Sequence, residues 1–346
     1  MSDFIEAELR RSARAILGID TQQIREVADL IIRSVKNGGQ VIFMGNGGSS
    51  ADAQHIAAEF SGKYMFDRPA MAGVSLSNIA PVTAIGNDYS YDLVFQRQIE
   101  AICRKGDVVV GLSTSGNSRN VILAIEAAKR IGADTVSFSG EGGVLKDMTD
   151  VGVIIPTKET PRIQEGYFVA CHTICGIVER EVYGRKAVLV DRDDTLAKDV
   201  PYCDDPNKFH LLPGVPKAIS KLNEAGYIVI VVTNQSGVAR GKLDEDTLEA
   251  IHDKMIREIE AGGGRIEDVF YCPHHPDDLC NCRKPETGMG VEAIVRHNIN
   301  PKTSFMIGDS EERDIEFGKR LGLRTYLVTE KRRFTDIVDE IVNNFS

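Results

Sequence analysis

No apolar stretch of this 346-residue sequence approaches the length of a membrane-spanning helix, so we expect no helix of this kind. No long run of Lys and Arg offsets the formal net charge of −10, and this disfavours a nucleic-acid partner. The first residues are acidic and lack the basic and apolar regions of a signal peptide, so we expect a cytoplasmic protein. Anionic substrates remain compatible with the charge, because a few backbone amides and one or two cations suffice to hold a phosphate.

A linker rich in Pro or Ser is also lacking, although the length of the chain favours two domains. Short apolar runs alternate with helical segments over residues 41–155, and the alternation restarts at Ala187 after a predicted helix that ends at Gly184. Alternation of this kind predicts a parallel sheet that is covered by helices on both faces. We therefore expect two doubly wound α/β domains, over residues 1–184 and 185–346.

Two loops of the first half have the composition of a phosphate site. The segment GNGGSS (45–50) follows a predicted strand and opens a helix, where glycines let the backbone approach an anion and free amides point at it. The segment STSGNS (113–118) stands between another strand and helix and supplies four hydroxyls. Neither loop has the lysine or the glycine spacing of the common nucleotide-binding motifs, so we expect one phosphorylated ligand that is not a nucleotide.

Four polar side chains on helices accompany these loops. His55 and Glu59 lie four residues apart on the helix after the first loop, and therefore share a face. Gln164 and His172 lie eight residues apart on the last helix of this half. Together these side chains could either hold a metal or move protons, and their spacing does not decide between the two.

The segments GNGGSSADAQHIAAE, AIGNDYSYD, LSTSGNS and RIQEGYFVACH, within residues 40–180, resemble the sugar-isomerase (SIS) family, and within it the sedoheptulose 7-phosphate isomerases. The resemblance implies an SIS-type sandwich in which Glu59 and His172 move a proton between C2 and C1 of the sugar through an enediol. It implies a homodimer or homotetramer, because such domains build their sites between subunits. In some members of the family, the residues that correspond to His55, Glu59, Gln164 and His172 also form a zinc site. The substrate contacts that it implies come from Asn46, Gly47, Gly48, Asn87, Asp88, Ser113, Thr114, Ser115, Ser118 and Gln164.

The second half opens with a pair of carboxylates directly after the apolar run 187–190. Residues i and i+2 of a strand point the same way, so we expect Asp191 and Asp193 to face one site. One carboxylate can attack phosphorus while the other protonates the leaving oxygen, and Mg²⁺ neutralises the crowded charge. Thr233, Asn234, Gln235 and Ser236 end the next strand with groups for phosphoryl oxygens, Lys284 supplies a cation, and Asp309 supplies a further magnesium ligand with Asp314 nearby.

Three cysteines and a histidine crowd into eleven residues of this half. Cys272, His274, Cys280 and Cys282 give the ligand count of a tetrahedral zinc ion with no position left for a substrate, so the sequence predicts a structural zinc site. His275 is an alternative to His274 as the imidazole ligand. Because the loop runs directly into Arg283 and Lys284, we expect the zinc to set the position of both cations.

The second half thus contains four sequence motifs. They are Asp191 with Asp193, the segment 233–236, Lys284, and Asp309, and together they resemble the motif set of the haloacid-dehalogenase (HAD) family. The segments LLPGV, VVTNQSGVARG, YCPHHP, CNCRKPETGM and MIGDS resemble in particular its D-glycero-D-manno-heptose 1,7-bisphosphate phosphatases, with histidinol-phosphate phosphatases as the alternative. The resemblance implies a Rossmann-like fold with Asp191 as nucleophile and Asp193 as general acid and base. Thr233 and Lys284 would stabilise the phosphoryl group, Arg283 would recognise the substrate, and Asp191, Asp193 and Asp309 would serve a magnesium ion. Asp194 departs from a usual glycine and Ser310 from a common lysine.

The two resemblances together predict a bifunctional enzyme of nucleotide-activated heptose synthesis, which supplies bacterial surface glycans such as lipopolysaccharide. One half would isomerise sedoheptulose 7-phosphate, and the other would remove the 7-phosphate of heptose 1,7-bisphosphate. A phosphorylation separates the two reactions and the chain has no kinase motif, so a separate heptose kinase is expected as a partner. The alternative is a phosphosugar-sensing SIS scaffold fused to a phosphatase of the histidinol-phosphate type.

Overall fold

The computed structural model describes residues 2–345 and divides into two compact units, of which the first ends at Val182 and the second begins at Tyr183. Each unit is an α/β domain built on a five-stranded parallel sheet. The expected fold class is thereby confirmed. Within the described residues, no helix has the combination of length and apolar character that crossing a membrane requires.

The sheet of the first unit has the strand order β2-β1-β3-β4-β5. Its strands are β1 (Val41–Gly45), β2 (Gly73–Ser75), β3 (Val108–Leu112), β4 (Asp134–Ser139) and β5 (Val151–Ile154). Its helices are α1 (Ser2–Leu17), α2 (Thr21–Lys36), α3 (Gly48–Ser61), α4 (Ile79–Asp88), α5 (Gln96–Ile102), α6 (Arg119–Ile131), α7 (Leu145–Met148) and α8 (Thr160–Tyr183). Every residue of β1 and β3 is buried, as expected for central strands covered on both faces.

The sheet of the second unit has the order β10-β9-β6-β7-β8. Its strands are β6 (Ala187–Val190), β7 (Ile228–Asn234), β8 (Asp268–Cys272), β9 (Phe305–Gly308) and β10 (Arg324–Leu327). Its helices are α9 (Val215–Glu224), α10 (Glu245–Ala261), α11 (Gly288–Arg296), α12 (Glu316–Arg320) and α13 (Phe334–Phe345), and a single π-helical turn (Glu311–Ile315) precedes α12.

The central strand β6 shows why its residues are apolar without interruption. Val188 and Val190 join the core that includes residues of α9, α10 and α13, whereas Ala187 and Leu189 join the core on the α11 side of the sheet. Alternate side chains of a strand point to opposite faces, so a strand with a helical layer on each face must be apolar at every position. The strand ends at Val190, and the polar residues that follow it lie at the carboxyl edge of the sheet.

Candidate active sites and a cysteine-rich loop

The two glycine- and serine-containing loops of the first domain lie side by side. They follow β1 and β3, which are hydrogen-bonded neighbours, so both loops leave the same edge of the sheet. Asn46 of the first loop and Asn120 at the start of α6 exchange amide hydrogen bonds, each of 2.9 Å. Tyr91 also donates to Asn46 Oδ1 at 2.9 Å. Asn120, two residues after the second loop, therefore joins the two loops, while Tyr91 contacts the first loop from the segment that follows α4. Neither residue was among the predicted site residues.

The first loop depends on its glycines. Gly47 has a φ of +56°, in the left-handed region that side chains disfavour. A Cβ on Gly48 would lie 2.5 Å from Nε2 of Gln164, so a side chain there would displace the α8 amide from its present position beside the loop. The loop that opens α3 and the amide of Gln164 are thus in direct contact.

The second loop presents its hydroxyls in a cluster. Ser113 and Ser118 share a hydrogen bond of 2.9 Å between their hydroxyl oxygens, and Ser118 is the residue that precedes α6. Thr114 is half-buried and Ser115 is exposed. Asn87 and Asp88 lie exposed at the end of α4, where the Asn87 amide donates to Asp88 at 2.9 Å, three residues before the Tyr91 that reaches the first loop.

Three of the four polar side chains predicted on α3 and α8 meet. His55 Nε2 lies 3.1 Å from His172 Nε2 and 3.2 Å from a carboxylate oxygen of Glu59. Burial lowers the pKa of His172 and the neighbouring His55 lowers it further, while Glu59 opposes this shift. A neutral His172 at neutral pH can both accept and donate a proton, as acid–base catalysis requires.

Gln164, the fourth of these side chains, is held by Asp52. Its amide donates to Asp52 Oδ2 at 2.7 Å, and the Tyr167 hydroxyl reaches the same oxygen at 3.2 Å and the Ser49 hydroxyl at 2.6 Å. The ligand atoms of His55, Glu59 and His172 all lie within 4.8 Å of one another, which suits a zinc ion with imidazole and carboxylate ligands. Asp52 was not predicted, although its place three residues before His55 puts it on the same face of α3.

In the second domain, Asp191 is buried beside the lysine that the sequence assigns to the site. Lys284 Nζ lies 2.8 Å from Asp191 Oδ1 and 2.6 Å from Asp314 Oδ1. Burial, with the carboxylates of Asp314 and Asp193, raises the pKa of Asp191 to about 7, against the opposing effect of Lys284. Oxygen atoms of Asp191, Asp309 and Asp314 lie within 4.8 Å of one another, a donor set that magnesium prefers. A divalent cation there would favour the ionised form of Asp191 that a nucleophile needs.

Asp193 lines the same cleft and has hydrogen-bond partners of its own. Its two oxygens accept hydrogen bonds from Arg192 at 3.0 and 3.1 Å, and Gln235 Nε2 donates to one of them at 2.9 Å. The magnesium set predicted from the sequence is Asp191, Asp193 and Asp309, and the structure adds the carboxylate of Asp314 to those of Asp191 and Asp309. Because β6 ends at Val190, Asp191 and Asp193 both lie in the loop that follows the strand, and both line the same cleft.

Residues at the carboxyl end of β7 hold both Asp193 and Lys284 in place. Gln235 Nε2 also donates to Thr233 Oγ1 at 2.9 Å. The Asn234 side chain accepts from the backbone amide of Lys284 at 3.0 Å and donates to its carbonyl at 3.1 Å, which fixes the main chain of that residue. These residues line a cleft of about 360 Å³ together with Ser236, Arg283, Asp309 and the segment 199–203. Nη1 of Arg283 is buried there without a hydrogen-bond partner in the described part of the chain.

Both departures from the HAD pattern have a structural counterpart. Asp194 has a φ of +50°, the left-handed conformation for which a glycine is the usual choice, and aspartate is among the few other residues that tolerate it. Its carboxylate accepts from the Asp199 amide at 3.0 Å. Ser310 accepts from Arg313 Nε at 3.1 Å, and Arg313 lines the cleft. A cation is therefore present next to the position where the family commonly has a lysine.

A buried histidine, His252, lies next to Arg192, the arginine that holds Asp193. His252 of α10 approaches Arg192 Nη1 to 3.3 Å, and burial together with that cation lowers the pKa of His252 to about 3. The folded domain keeps His252 neutral at pH 5, whereas the unfolded chain binds a proton below about pH 6.5. Protonation then favours the unfolded chain, so stability falls as the pH drops from about 6.5 towards 3.

We therefore expect the second domain to lose about 2 kcal/mol of stability between pH 7 and pH 5 through this one residue. In His252→Gln, whose amide oxygen can still accept from Arg192, this part of the pH dependence should vanish. Hydrogen exchange of the α10 amides, corrected for intrinsic rates, measures the difference. His210→Gln, at an exposed histidine, is the matched control, and equal pH dependence in wild type and His252→Gln would contradict the prediction.

The cysteine-rich loop brings its four predicted ligands together. Cys272 Sγ lies 3.6 Å from Cys280 Sγ, 3.3 Å from Cys282 Sγ and 3.6 Å from His274 Nδ1. Ligand atoms bound to one tetrahedral zinc ion at about 2.0–2.3 Å stand roughly 3.3–3.8 Å apart, so the spacing fits that metal. His275, the alternative ligand, instead accepts from the Asp277 amide through Nδ1 at 3.3 Å. Burial raises the pKa of Cys272 to about 12, and a metal would supply the positive charge that its thiolate needs.

Replacing Cys280 by serine should therefore remove one equivalent of zinc per chain and lower the activity of the second domain at least tenfold. The loop continues without a break into Arg283 and Lys284, so disordering it displaces both cations. Elemental analysis and steady-state assays of the two domains measure the effects. Cys103→Ser, at a cysteine of the first domain, should retain all the zinc, and a Cys280→Ser protein with unchanged zinc content would contradict the assignment.

Comparison with known proteins finds relatives for each half. A family model described as SIS domain matches residues 5–140, and one described as HAD-hydrolase-like matches residues 281–340. The phosphoheptose isomerase of Clostridium acetobutylicum is 46% identical over 193 residues, which cover 54% of this chain and 98% of that protein. The phosphoheptose isomerase of Helicobacter hepaticus is 45% identical over 186 residues, which cover 52% and 94%.

Two solved structures are similar to different halves of the chain. A phosphoheptose isomerase from Neisseria gonorrhoeae is 38% identical and covers 51% of this chain and 98% of its own, with a TM-score of 0.48. A D,D-heptose 1,7-bisphosphate phosphatase from B. bronchiseptica, complexed with magnesium and phosphate, is 33% identical and covers 46% of this chain and 98% of its own, with a TM-score of 0.43.

Proposed function

We propose that this chain, which belongs through its first domain to the phosphoheptose isomerase family, is a bifunctional enzyme of heptose phosphate metabolism. The first domain converts sedoheptulose 7-phosphate to D-glycero-D-manno-heptose 7-phosphate. The second removes the 7-phosphate of D-glycero-D-manno-heptose 1,7-bisphosphate. The observation that carries the first activity is the His55, Glu59 and His172 cluster; for the second it is the buried contact of Lys284 with Asp191.

The isomerase reaction needs a phosphate anchor and a proton carrier on each side of the reacting carbons. The amides and hydroxyls of the two loops hold the phosphate, with Asn87, Asp88 and Gln164 assisting at the sugar. Glu59 removes a proton from C1 of the ketose to give the enediol and returns a proton to C2, while the neutral imidazole of His172 transfers a proton from O1 to O2. His55, Glu59 and His172, with Gln164 as a fourth ligand, would hold a zinc ion, which polarises the substrate carbonyl when bound.

The phosphatase reaction proceeds in two displacements. Asp191 attacks phosphorus to form an aspartyl phosphate, and the bond from phosphorus to the sugar oxygen breaks as Asp193 protonates that oxygen. Asp193 then removes a proton from water, which attacks the aspartyl phosphate, releases phosphate and restores Asp191. Arg192 and Gln235 orient Asp193, while Lys284 and Thr233 contact the phosphoryl oxygens. Asp191, Asp309 and Asp314 would hold a magnesium ion, which neutralises charge on the transferred group.

The N-terminal helix supports self-association through the first domain. Phe4, Ile5 and Leu9 are each more than half exposed, and Ala15 is the single buried residue among the described residues of α1. An apolar helix face of this kind suits a contact with a second copy, which supports a homodimer or homotetramer.

The cysteines of the described chain form no disulfide bonds, which fits a reducing cytoplasm. A separate heptose kinase acts between the two reactions.

A substrate panel on the purified chain tests the proposal. We expect aldose formation from sedoheptulose 7-phosphate, and a higher specificity constant for heptose 1,7-bisphosphate than for histidinol phosphate. Binding of sedoheptulose 7-phosphate without aldose formation would show a sensing domain instead of an isomerase. A preference for histidinol phosphate would replace the assigned substrate of the second domain.

A further inference from the structure

A buried ion pair joins the segment that follows α3 to α8, and the reaction described above does not use it. Nε of Arg68 lies 3.0 Å from Oε1 of Glu179 on α8, and the side chains of Arg68 and Glu179 are 1% and 0% exposed. Removing two charges from water is costly unless their remaining hydrogen-bonding groups are also satisfied. A buried pair of this kind therefore needs further hydrogen-bond partners for both side chains.

Those partners are backbone groups of a single short segment. The two carboxylate oxygens of Glu179 accept from the amides of Tyr64 and Met65 at 2.9 and 2.8 Å. Arg68 donates to the carbonyls of Phe60, Gly62 and Pro69 at 3.0–3.1 Å, and to that of Glu59 at 2.7 Å. The ion pair thus fixes the course of the chain from the end of α3 through Pro69 against α8.

The fixed segment presents an aromatic ring to His172. The rings of Tyr64 and His172 are nearly parallel, with an angle of 20° and centroids 5.5 Å apart, and Phe168 meets the same imidazole edge-on at 4.5 Å. Gly176 lies between His172 and Glu179 on α8, and a Cβ there would come within 3.2 Å of Cε1 of Tyr64. Glycine at this position lets the Tyr64 ring lie close to the helix.

We propose that Tyr64 is a positioning residue for the isomerase reaction and that the Arg68–Glu179 pair holds it in place. Tyr64 fixes the plane of the His172 imidazole, while Arg68 holds the backbone carbonyl of Glu59, so one buried pair sets the relation between both proton carriers. Neither Arg68 nor Glu179 touches the reacting atoms. This inference rests on the isomerase function proposed above.

The test compares Tyr64→Ala with Tyr64→Phe in the full-length chain. Phenylalanine keeps the stacked ring, so we expect a kcat within twofold of wild type; alanine removes it, and we expect kcat for sedoheptulose 7-phosphate to fall roughly 10- to 100-fold. KM should change less than twofold in both variants, because the phosphate loops are untouched. A merely structural role of Tyr64 would instead change KM together with kcat, or leave both unchanged.

A second variant addresses the ion pair. The double substitution Arg68→Met with Glu179→Gln removes both charges together and leaves no unpaired buried ion. We expect it to lower kcat as Tyr64→Ala does, at a KM close to that of wild type. Wild-type kcat in both Tyr64→Ala and the double variant would overturn the inference and leave the isomerase function standing. A wild-type chain that forms no aldose would overturn both.

Discussion

Asp191→Asn is expected to reduce the phosphatase activity at least about 10⁴-fold and to leave the isomerase activity of the same chain unchanged. The amide cannot form the aspartyl phosphate, and it also removes one carboxylate from the cluster that would hold magnesium. The fold should persist, because asparagine has nearly the same volume and Lys284 keeps its contact with Asp314 at 2.6 Å. Steady-state rates on heptose 1,7-bisphosphate and on sedoheptulose 7-phosphate, measured on one preparation, give both numbers.

Asp204→Asn is the matched control for this substitution. Asp204 is exposed and pairs only at the surface with Lys208, so its loss should change neither rate by more than about twofold. Substantial hydrolysis by Asp191→Asn would mean that a different group attacks phosphorus. In that case Asp193 and Asp314 become the next candidates, since both are carboxylates of the same cleft.

Glu59→Gln should give the complementary result, a loss of isomerase activity of roughly 10³-fold with full phosphatase activity. The glutamine side chain occupies the same space and its amide can still lie near His55, but it cannot carry a proton between C1 and C2. Sugar binding should survive, because the groups proposed for the phosphate stand on the two loops and not on this part of α3. The measured quantity is the rate of aldose formation at saturating ketose.

Glu100→Gln provides the control, since Glu100 lies exposed on α5 with a surface contact to Arg130. Loss of both activities in Glu59→Gln would point to misfolding of the chain and not to a catalytic role. Retention of isomerase activity would assign proton transfer to another residue, for which Asp52, hydrogen-bonded to Gln164, would be a candidate.

Local patterns predicted those parts of the molecule that depend on neighbours in the chain. Apolar runs that end in polar loops indicated the central strands, and the close spacing of Cys272 to Cys282 indicated the four-ligand cluster that the structure shows. Three-residue β2 was missed, because an edge strand with half-buried residues leaves no apolar run. Asp191 and Asp193 line the same cleft, although β6 ends at Val190 and the strand alternation from which they were placed there reaches neither residue.

Long-range contacts account for most of the remaining differences. Asp314 reaches Lys284, and Tyr64 reaches His172, across more than twenty residues of sequence. No periodicity or motif records which side chains meet when two distant segments fold together. The pairing of Asn46 with Asn120 is of the same kind, since the sequence marks Asn46 as part of the first loop but does not indicate that Asn120 lies next to it.

The left-handed conformation of Asp194 bears on how such phosphatases are identified from sequence. The first motif is commonly written with glycine at this position, and a search that demands glycine would pass over this chain. The physical requirement is a backbone angle, which aspartate meets and a β-branched residue does not. The motif is therefore better defined by the set of residues that can adopt the angle, with asparagine and aspartate admitted beside glycine.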